Sequence, residues 1–166
     1  KEVPHTNTRS TRDMVKENLF NMLGPIAGLR VLDAFAGSGA LGIEALSRGA
    51  VHADFIEHDR TAFRVLETNL KNLALKTVSE AFKADAIRQL HRLKTPYDLI
   101  LLDPPYHKGL LSKSLLVINE FGLLNENGIL ALLHGSEETP DVPEAFRILK
   151  SRTYGVTTVT LLEWSD

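Results

Sequence analysis

The sequence predicts an α/β fold in which a doubly wound, mostly parallel sheet ends in an antiparallel hairpin. Three observations support this prediction. Short apolar runs bounded by turn residues alternate with segments of helical periodicity, which is typical of strands covered by helices on both faces. Such alternation favours right-handed crossovers between parallel strands. The last part of the chain instead contains two segments rich in β-branched residues with no helix between them, as in an antiparallel hairpin.

The N-terminal part of the chain predicts one helix before the first strand. Residues 13–23 place apolar side chains at helical spacing, so we expect a helix there, with Asp13 as its N-cap and Gly24 as its end. The apolar run at 29–35 follows and predicts a buried strand that ends near Asp33.

Helix and strand then alternate as far as residue 134. Gly49 is the expected C′ residue of the second helix, Asp59 can cap the third, and Gly122 ends the fifth. The further predicted strands lie over 53–57, 80–84, 97–103 and 128–134, the helices over 40–48, 61–75, 86–93 and 109–121, and the hairpin strands over 147–155 and 157–164.

The length and composition indicate one ordinary domain. With 166 residues and 43% hydrophobic content, the chain can form one core but not two, so we expect a single domain over 1–166 with an N-terminal segment and helix in 1–24. No run approaches the roughly 18 apolar residues of a membrane helix, and no signal peptide pattern opens the sequence. We therefore expect a soluble, cytoplasmic protein without a membrane partner; the oligomeric state stays open, and a monomer is compatible with the sequence.

Residue composition excludes several function classes. The chain has no cysteine, which excludes disulfides, thiolate zinc sites and a cysteine nucleophile. No two of its six histidines have the i, i+4 spacing of a helical metal site, so we predict no metal. The formal net charge of −2 does not indicate a nucleic-acid binder, which is often strongly basic, but it is compatible with a local basic patch.

A glycine-rich loop, VLDAFAGSGALG, joins the first strand to the helix after it. Gly37 and Gly39 lack the Cβ atoms that would keep the backbone away from a ligand, and the helix N-terminus offers unpaired N–H groups. Glu57 ends the second strand, where a carboxylate can hold ribose hydroxyls. The loop therefore predicts a ligand that contains a nucleoside.

The charge of the ligand separates two readings of this loop. Gly37, Gly39 and Gly42 fit the G-x-G-x-x-G pattern of dinucleotide sites, so an NAD-binding module without methyl transfer is one alternative. However, Asp33 precedes the loop and would repel a pyrophosphate. S-adenosylmethionine, which carries an ammonium and a sulfonium group, suits it better. The stretch from Asp33 through Phe35 to Gly39, followed by an acidic end of strand two, resembles the cofactor motif of class I S-adenosylmethionine-dependent methyltransferases.

This resemblance implies a fold and a set of cofactor contacts. It implies a seven-stranded, Rossmann-like methyltransferase sheet. It also implies that the loop faces the aminomethionine part of the cofactor, that the end of strand two holds the ribose, and that residues after strand three contact the adenine. The cofactor-binding residues on this reading are Asp33, Phe35, Gly37, Ser38, Gly39, Glu57, Asp85 and Ala86.

The turn Asp103-Pro104-Pro105-Tyr106 ends the strongest predicted strand. Ligands of open α/β sheets bind outside the carboxyl ends of the strands, so this turn should share an edge with the glycine loop. Two prolines fix φ and remove two N–H donors, which makes the turn stiff and leaves its carbonyls as acceptors. The ring of Tyr106 can stack on a base, a contact worth about 1–3 kcal/mol. Together these features predict a holder for the exocyclic amine of a base.

Such an amine is a poor nucleophile because its lone pair is delocalised into the ring. Hydrogen bonds to the Asp103 carboxylate and the Pro104 carbonyl favour a pyramidal nitrogen and strengthen as positive charge develops. We therefore predict Asp103, Pro104 and Tyr106 as the catalytic residues. The turn resembles the signature of amino-group methyltransferases. Adenine-N6 and cytosine-N4 DNA methyltransferases share it and are the main alternative, whereas protein-glutamine methyltransferases usually have Asn in place of Asp103.

The N-terminal stretch TRSTRDMVKENLFNML indicates which amino group accepts the methyl group. Together with the glycine loop and the proline turn, it resembles the bacterial small-subunit (16S) ribosomal RNA guanine-N2 methyltransferase family. Ser10 stands where that family usually has proline, and the family's basic upstream hairpin is not part of this sequence. The resemblance implies methylation of a guanine N2 amine, with ribosomal RNA or an assembling small subunit as the partner. The substrate-binding residues it implies are Arg9, Thr11, Arg12, Pro105 and Lys108, and Lys16 and Lys113 can add RNA-phosphate contacts.

Overall fold

The structure, a computed structural model, describes residues 10–106 and 109–166. Its helices in these two ranges are α1 (Thr11–Leu23), α2 (Ala40–Ser47), α3 (Arg60–Asn72), α4 (Ala86–Leu90) and α5 (Leu110–Phe121). Its strands there are β1 (Arg30–Asp33), β2 (His52–Glu57), β3 (Ser79–Lys83), β4 (Tyr97–Leu102), β5 (Leu124–Gly135), β6 (Phe146–Tyr154) and β7 (Thr157–Trp164).

The strands form one sheet in the order β3-β2-β1-β4-β5-β7-β6. The neighbours from β3 to β5 run parallel, and β7 pairs antiparallel with both β5 and β6. The predicted doubly wound sheet with a C-terminal antiparallel hairpin is therefore confirmed. The chain moves outward from β1 in one direction to β2 and β3, and then returns to the other side of β1 with β4. This reversal places a crevice at the carboxyl ends of β1 and β4.

The central strand β4 buries both of its faces. In β4, Leu99 and Leu101 pack in the core on the side of α1, α2 and α3, whereas Ile100 and Leu102 pack on the side of α4 and α5. Leu101 and Ile100 are fully buried, and each such burial contributes about 1.5–3 kcal/mol. The unbroken apolar run of this strand is explained by its two covered faces.

The first helix begins earlier than the sequence predicted. Ser10, not Asp13, is its N-cap, because the Ser10 hydroxyl accepts a hydrogen bond from the backbone N–H of Asp13. The prediction of Asp13 as the cap was therefore wrong by three positions. Asp13 instead lies in the first turn, where its negative charge favours the helix N-terminus. As a result Thr11 and Arg12 belong to the first turn of α1.

Other boundaries also differ at the ends. The cap at Asp59 is confirmed, since its side chain accepts from the N–H of Ala62. α4 ends at Leu90 instead of residue 93, and α3 ends at Asn72. β5 begins at Leu124 instead of residue 128, with an irregular register beside Tyr97. The indole N–H of Trp164 donates to the carbonyls of Leu124 and Asn125, so tertiary contacts hold this polar stretch extended against its turn-like sequence.

Candidate functional site

A cavity of about 880 Å³ opens at the carboxyl ends of β1, β2, β3 and β4. Its wall contains the glycine loop at 34–38 and the turn at 103–106, as well as the first turn of α1 and residues 84–87. The two motifs that the sequence analysis expected at one edge of the sheet thus face the same space. A volume of this size is typical of ligand and cofactor pockets.

The three glycines of the loop have different roles. Gly37 has φ +57°, and a Cβ added there would meet nothing within 4 Å, so its backbone borders open space. A Cβ on Gly39 would lie 2.5 Å from Leu66, and one on Gly42 would lie 2.4 Å from the ring of Phe55. Gly37 therefore leaves the cavity wall open, whereas Gly39 and Gly42 permit close packing of α2 on the core.

Asp33 lies outside the cavity wall, beneath the loop. Its side chain is buried, and its Oδ2 accepts a hydrogen bond from the backbone N–H of Gly42 at 3.0 Å. Its Oδ1 is buried without a hydrogen-bond partner among the described residues. The pKa of Asp33 is raised to about 7, mainly by burial and to a lesser extent by the nearby carboxylates of Asp103 and Glu57, while the hydrogen bond from Gly42 opposes the rise. Asp33 thus anchors the start of α2.

Glu57 connects the end of β2 to the glycine loop. Its Oε1 accepts from the N–H of Gly37 and its Oε2 accepts from the N–H of Asp59, both at 2.7 Å. Glu57 also lines the cavity. Each carboxylate oxygen has a second lone pair, so this side chain can hold the loop and still accept a hydrogen bond from a ligand hydroxyl.

Asp85 and Ala86 form another part of the wall, at the start of α4. The Asp85 side chain accepts from the backbone N–H of Arg88 at 3.0 Å and caps the helix. Asp85 therefore has a structural task that does not require a ligand, and its position in the wall is compatible with an additional binding role.

Asp103 is the half-buried acid of the proline turn. Burial raises its pKa to about 6, and the nearby guanidinium of Arg12 opposes that rise. Arg12 reaches the cavity from the first turn of α1. The carboxylates of Asp103 and Glu57 are close enough to Asp33 to raise its pKa. A positively charged group of a ligand would be favoured next to these acids, whereas Arg12 and Lys16 bring positive charge to another part of the wall.

The rest of the proline turn also lies in the wall. Pro104 is buried and Pro105 is exposed. The hydroxyl of Tyr106 lies 3.2 Å from Oγ1 of Thr157, the first residue of β7. The ring is therefore attached at its far end to the C-terminal hairpin.

The structure brings most of the predicted residues together. Asp33 and Gly39 do not border the cavity, and Arg9 and Lys108 lie outside the described residues. The predicted residues in the wall are Thr11, Arg12, Phe35, Gly37, Ser38, Glu57, Asp85, Ala86, Asp103, Pro104, Pro105 and Tyr106.

Sequence reasoning missed several residues of the wall. His58 follows the end of β2 directly, and that position was a readable signal. Thr157 had no such signal, because the pairing of β7 with β5 brings it to the site from the far end of the chain.

Within 10–106 and 109–166, no group of three or more His, Asp or Glu side chains is arranged to hold a metal ion. None of the helices in the described part of the chain is long and apolar enough to cross a membrane.

Comparisons with known proteins give consistent matches over nearly the whole length. The family model described as Conserved hypothetical protein 95 matches residues 1–163. The candidate rRNA methyltransferase YlbH of Bacillus subtilis is 42% identical over 166 aligned residues, which cover 97% of this chain and 90% of that protein. Ribosomal RNA small subunit methyltransferase D of Haemophilus influenzae is 38% identical over 163 residues, covering 93% of this chain and 82% of that protein.

A solved structure has the same fold. The candidate methyltransferase yhhF from Escherichia coli superposes with a TM-score of 0.87 at 34% identity, covering 95% of this chain and 87% of that one.

Proposed function

This chain belongs to the Conserved hypothetical protein 95 family, the family of ribosomal RNA small subunit methyltransferase D, and we propose on that basis that it methylates small-subunit ribosomal RNA from S-adenosylmethionine. We propose further that the acceptor is the exocyclic N2 amine of a guanine. The proposal rests mainly on one observation, which is that the glycine loop and the Asp103 turn border the same cavity.

The residues in the cavity wall fit S-adenosylmethionine. Gly37 leaves a gap that a side chain would fill, the carboxylate of Glu57 suits ribose hydroxyls, and the acids near the loop favour an ammonium and a sulfonium. Phe35, Ile56 and Ile87 add apolar surface to the wall, which suits an adenine ring. When bound, the cofactor supplies an activated methyl group on its sulfonium.

The proline turn is proposed to hold the acceptor amine. The Asp103 carboxylate and the Pro104 carbonyl accept hydrogen bonds from its N–H groups, which localises the nitrogen lone pair and stabilises the positive charge that develops on nitrogen. The ring of Tyr106 stacks on the base and limits its motion, so the amine is aligned before transfer. After transfer, the surplus proton on nitrogen can pass to Asp103, which is then a neutral acid, or to water.

The RNA must present an unstacked guanine, because the reacting amine cannot reach the cavity from inside a helix. Arg12 and Lys16 line the cavity, and Lys113 is exposed on α5. We propose that these cations contact phosphates around the target base, which makes RNA binding weaken with added salt.

A pH profile tests the role of Asp103. The ionised carboxylate accepts hydrogen bonds from the amine, and the pKa of Asp103 is about 6, so kcat/KM for RNA should fall as the pH drops below about 6. Arg12 opposes the pKa rise, so Arg12→Gln should move this acid limb to higher pH. Arg48→Gln, at the far end of α2, should leave the limb in place. If the acid limb of Arg12→Gln kept its position or moved to lower pH, the assignment of this limb to Asp103 would be contradicted.

The acceptor is tested by product mapping. The protein is incubated with labelled S-adenosylmethionine and unmodified small-subunit RNA, either free or assembled into particles, and with duplex DNA. We expect label in RNA alone, and N2-methylguanosine at one position after nuclease digestion and mass spectrometry. Label in DNA alone would favour an adenine or cytosine methyltransferase.

Calorimetry tests the other alternative, an NAD-binding module without methyl transfer. Tight binding of NAD with no binding of S-adenosylhomocysteine would refute methyl transfer.

A further inference from the structure

The C-terminal hairpin reaches the main cavity through Thr157. This residue begins β7 and lines the cavity wall. It pairs with Gly135 of β5 on one side and with Tyr154 of β6 on the other. The backbone N–H of Ser136 also donates to the carbonyl of Val156 at 2.8 Å. Thr157 therefore has a backbone position that is held from both sides by strand pairing.

The ring of Tyr106 packs against this unit. A Cβ built on Gly135 would lie 3.5 Å from Cδ2 of Tyr106, so the ring lies close over the backbone at the end of β5. At its other end the hydroxyl forms a 3.2 Å hydrogen bond with Oγ1 of Thr157. A tyrosine has two side-chain torsions, and these two contacts restrict both of them.

The ring still has accessible surface. Tyr106 is 36% exposed, and it borders both the main cavity and a neighbouring cavity of about 150 Å³. Because the ring borders both cavities, its tilt affects the shape of the main one. A base that stacks on this ring must adopt the plane that the ring offers.

We propose that Thr157 is a positioning residue for the target base, and that its hydroxyl sets the plane of the Tyr106 ring on which the base stacks. This inference rests on the proposed function, because it concerns the same acceptor. The hydroxyl does not contact the reacting atoms. It acts by fixing the angle at which the amine approaches Asp103, and small errors in such alignment are costly in rate.

Two substitutions separate the hydroxyl from the rest of the side chain. Thr157→Val keeps the branched shape and the strand preference but removes the hydrogen bond, and we expect kcat/KM for RNA to fall about 3- to 10-fold. Thr157→Ser keeps the hydroxyl and should restore most of the rate. The dissociation constant of S-adenosylhomocysteine and the melting temperature should be unchanged in Thr157→Val, because the cofactor loop and the core are not altered.

A control in the same hairpin tests whether any lost hydroxyl has this effect. The hydroxyls of Thr153 and Thr158 are joined by a 2.8 Å hydrogen bond, and neither residue borders the cavity. Thr153→Val should therefore leave kcat/KM for RNA unchanged. An equal loss in Thr153→Val would show that the hairpin as a whole, and not the Thr157 hydroxyl, affects the rate, and would overturn the inference.

The decisive measurement is a double-mutant cycle with Tyr106→Phe, which keeps the ring and removes its hydroxyl. Because both changes break the same hydrogen bond, the double variant should be no slower than the slower single variant. Fully additive losses, or a Thr157→Ser variant as slow as Thr157→Val, would overturn the inference. A wild-type protein that transfers no methyl group to RNA would refute the proposed function itself, whereas an active wild type with an equally active Thr157→Val variant would refute this inference alone.

Discussion

Replacing Asp103 by Ala is expected to lower kcat for RNA methylation by about 10²- to 10³-fold, the usual cost of removing one hydrogen-bonding group that acts on developing charge. Asp103 borders the cavity in the stiff turn and is half-buried beside Arg12. The variant loses the carboxylate that is proposed to localise the amine lone pair, but the glycine loop and Glu57 remain. The dissociation constant of S-adenosylhomocysteine, measured by calorimetry, should therefore stay within about twofold.

Asp103→Asn is the matched control for the charge of the side chain. Its amide oxygen still accepts one hydrogen bond, so the methylation rate of this variant should lie between those of the wild type and Asp103→Ala. Its pH profile should lack the fall in rate near pH 6.

The loss of the Asp103 carboxyl group is not expected to destabilise the fold. The folded-state pKa of Asp103 is raised from the ordinary value of 3.8 to about 6, so the stability linked to this group is full below about pH 4 and is lost as the pH rises through about 6. Removing the acid should leave the melting temperature at pH 8 equal or higher. Normal turnover in Asp103→Ala would contradict the assigned role.

Replacing Glu57 by Ala is expected to weaken S-adenosylhomocysteine binding by about 10- to 100-fold, which corresponds to the loss of about one or two charge-assisted hydrogen bonds. The carboxylate holds the N–H groups of Gly37 and Asp59, both at 2.7 Å. Without it the loop loses its anchor to β2, and the proposed hydrogen bond to the ribose is lost. Because the acceptor amine is held elsewhere, kcat at saturating cofactor should change much less than the binding constant.

The control for this substitution is Glu80→Ala. Glu80 is an exposed glutamate on the neighbouring strand β3, away from the cavity wall, so its loss should leave the calorimetric dissociation constant unchanged. Glu57→Gln should bind with intermediate affinity, because it keeps one acceptor oxygen but turns an amide N–H₂ toward a backbone donor. An unchanged dissociation constant in Glu57→Ala would show that the cofactor does not depend on this end of β2.

Much of the fold was predictable because its signals are local. The run at 99–102 is apolar on both faces of a strand, and Asp59 caps the helix that begins at Arg60. The errors lie at element ends, where a neighbour in space competes with local preference. The polar stretch after Leu124 is drawn into β5 by the indole of Trp164, and the hydroxyl of Ser10 takes the capping role predicted for Asp13.

The candidate site was predictable to the extent that one rule of topology applies. Parallel strands of a doubly wound sheet end at the same edge, so the loop after β1 and the turn after β4 had to meet. That rule places residues near a cavity but does not say which way a side chain faces. Asp33 follows the rule and yet lies beneath the loop, because its Oδ2 accepts from Gly42.

The sequence by itself determined the alternation of helices and strands, the open backbone at Gly37 and the stiff turn from Asp103 to Tyr106, because each depends on the conformations that a few consecutive residues allow. Only the tertiary structure decided that Arg12 lies near Asp103 and that Thr157 holds Tyr106. These contacts join residues about 90 and 51 positions apart in the chain. Their distance depends on how the whole sheet and its helices pack, which no local pattern of residues specifies.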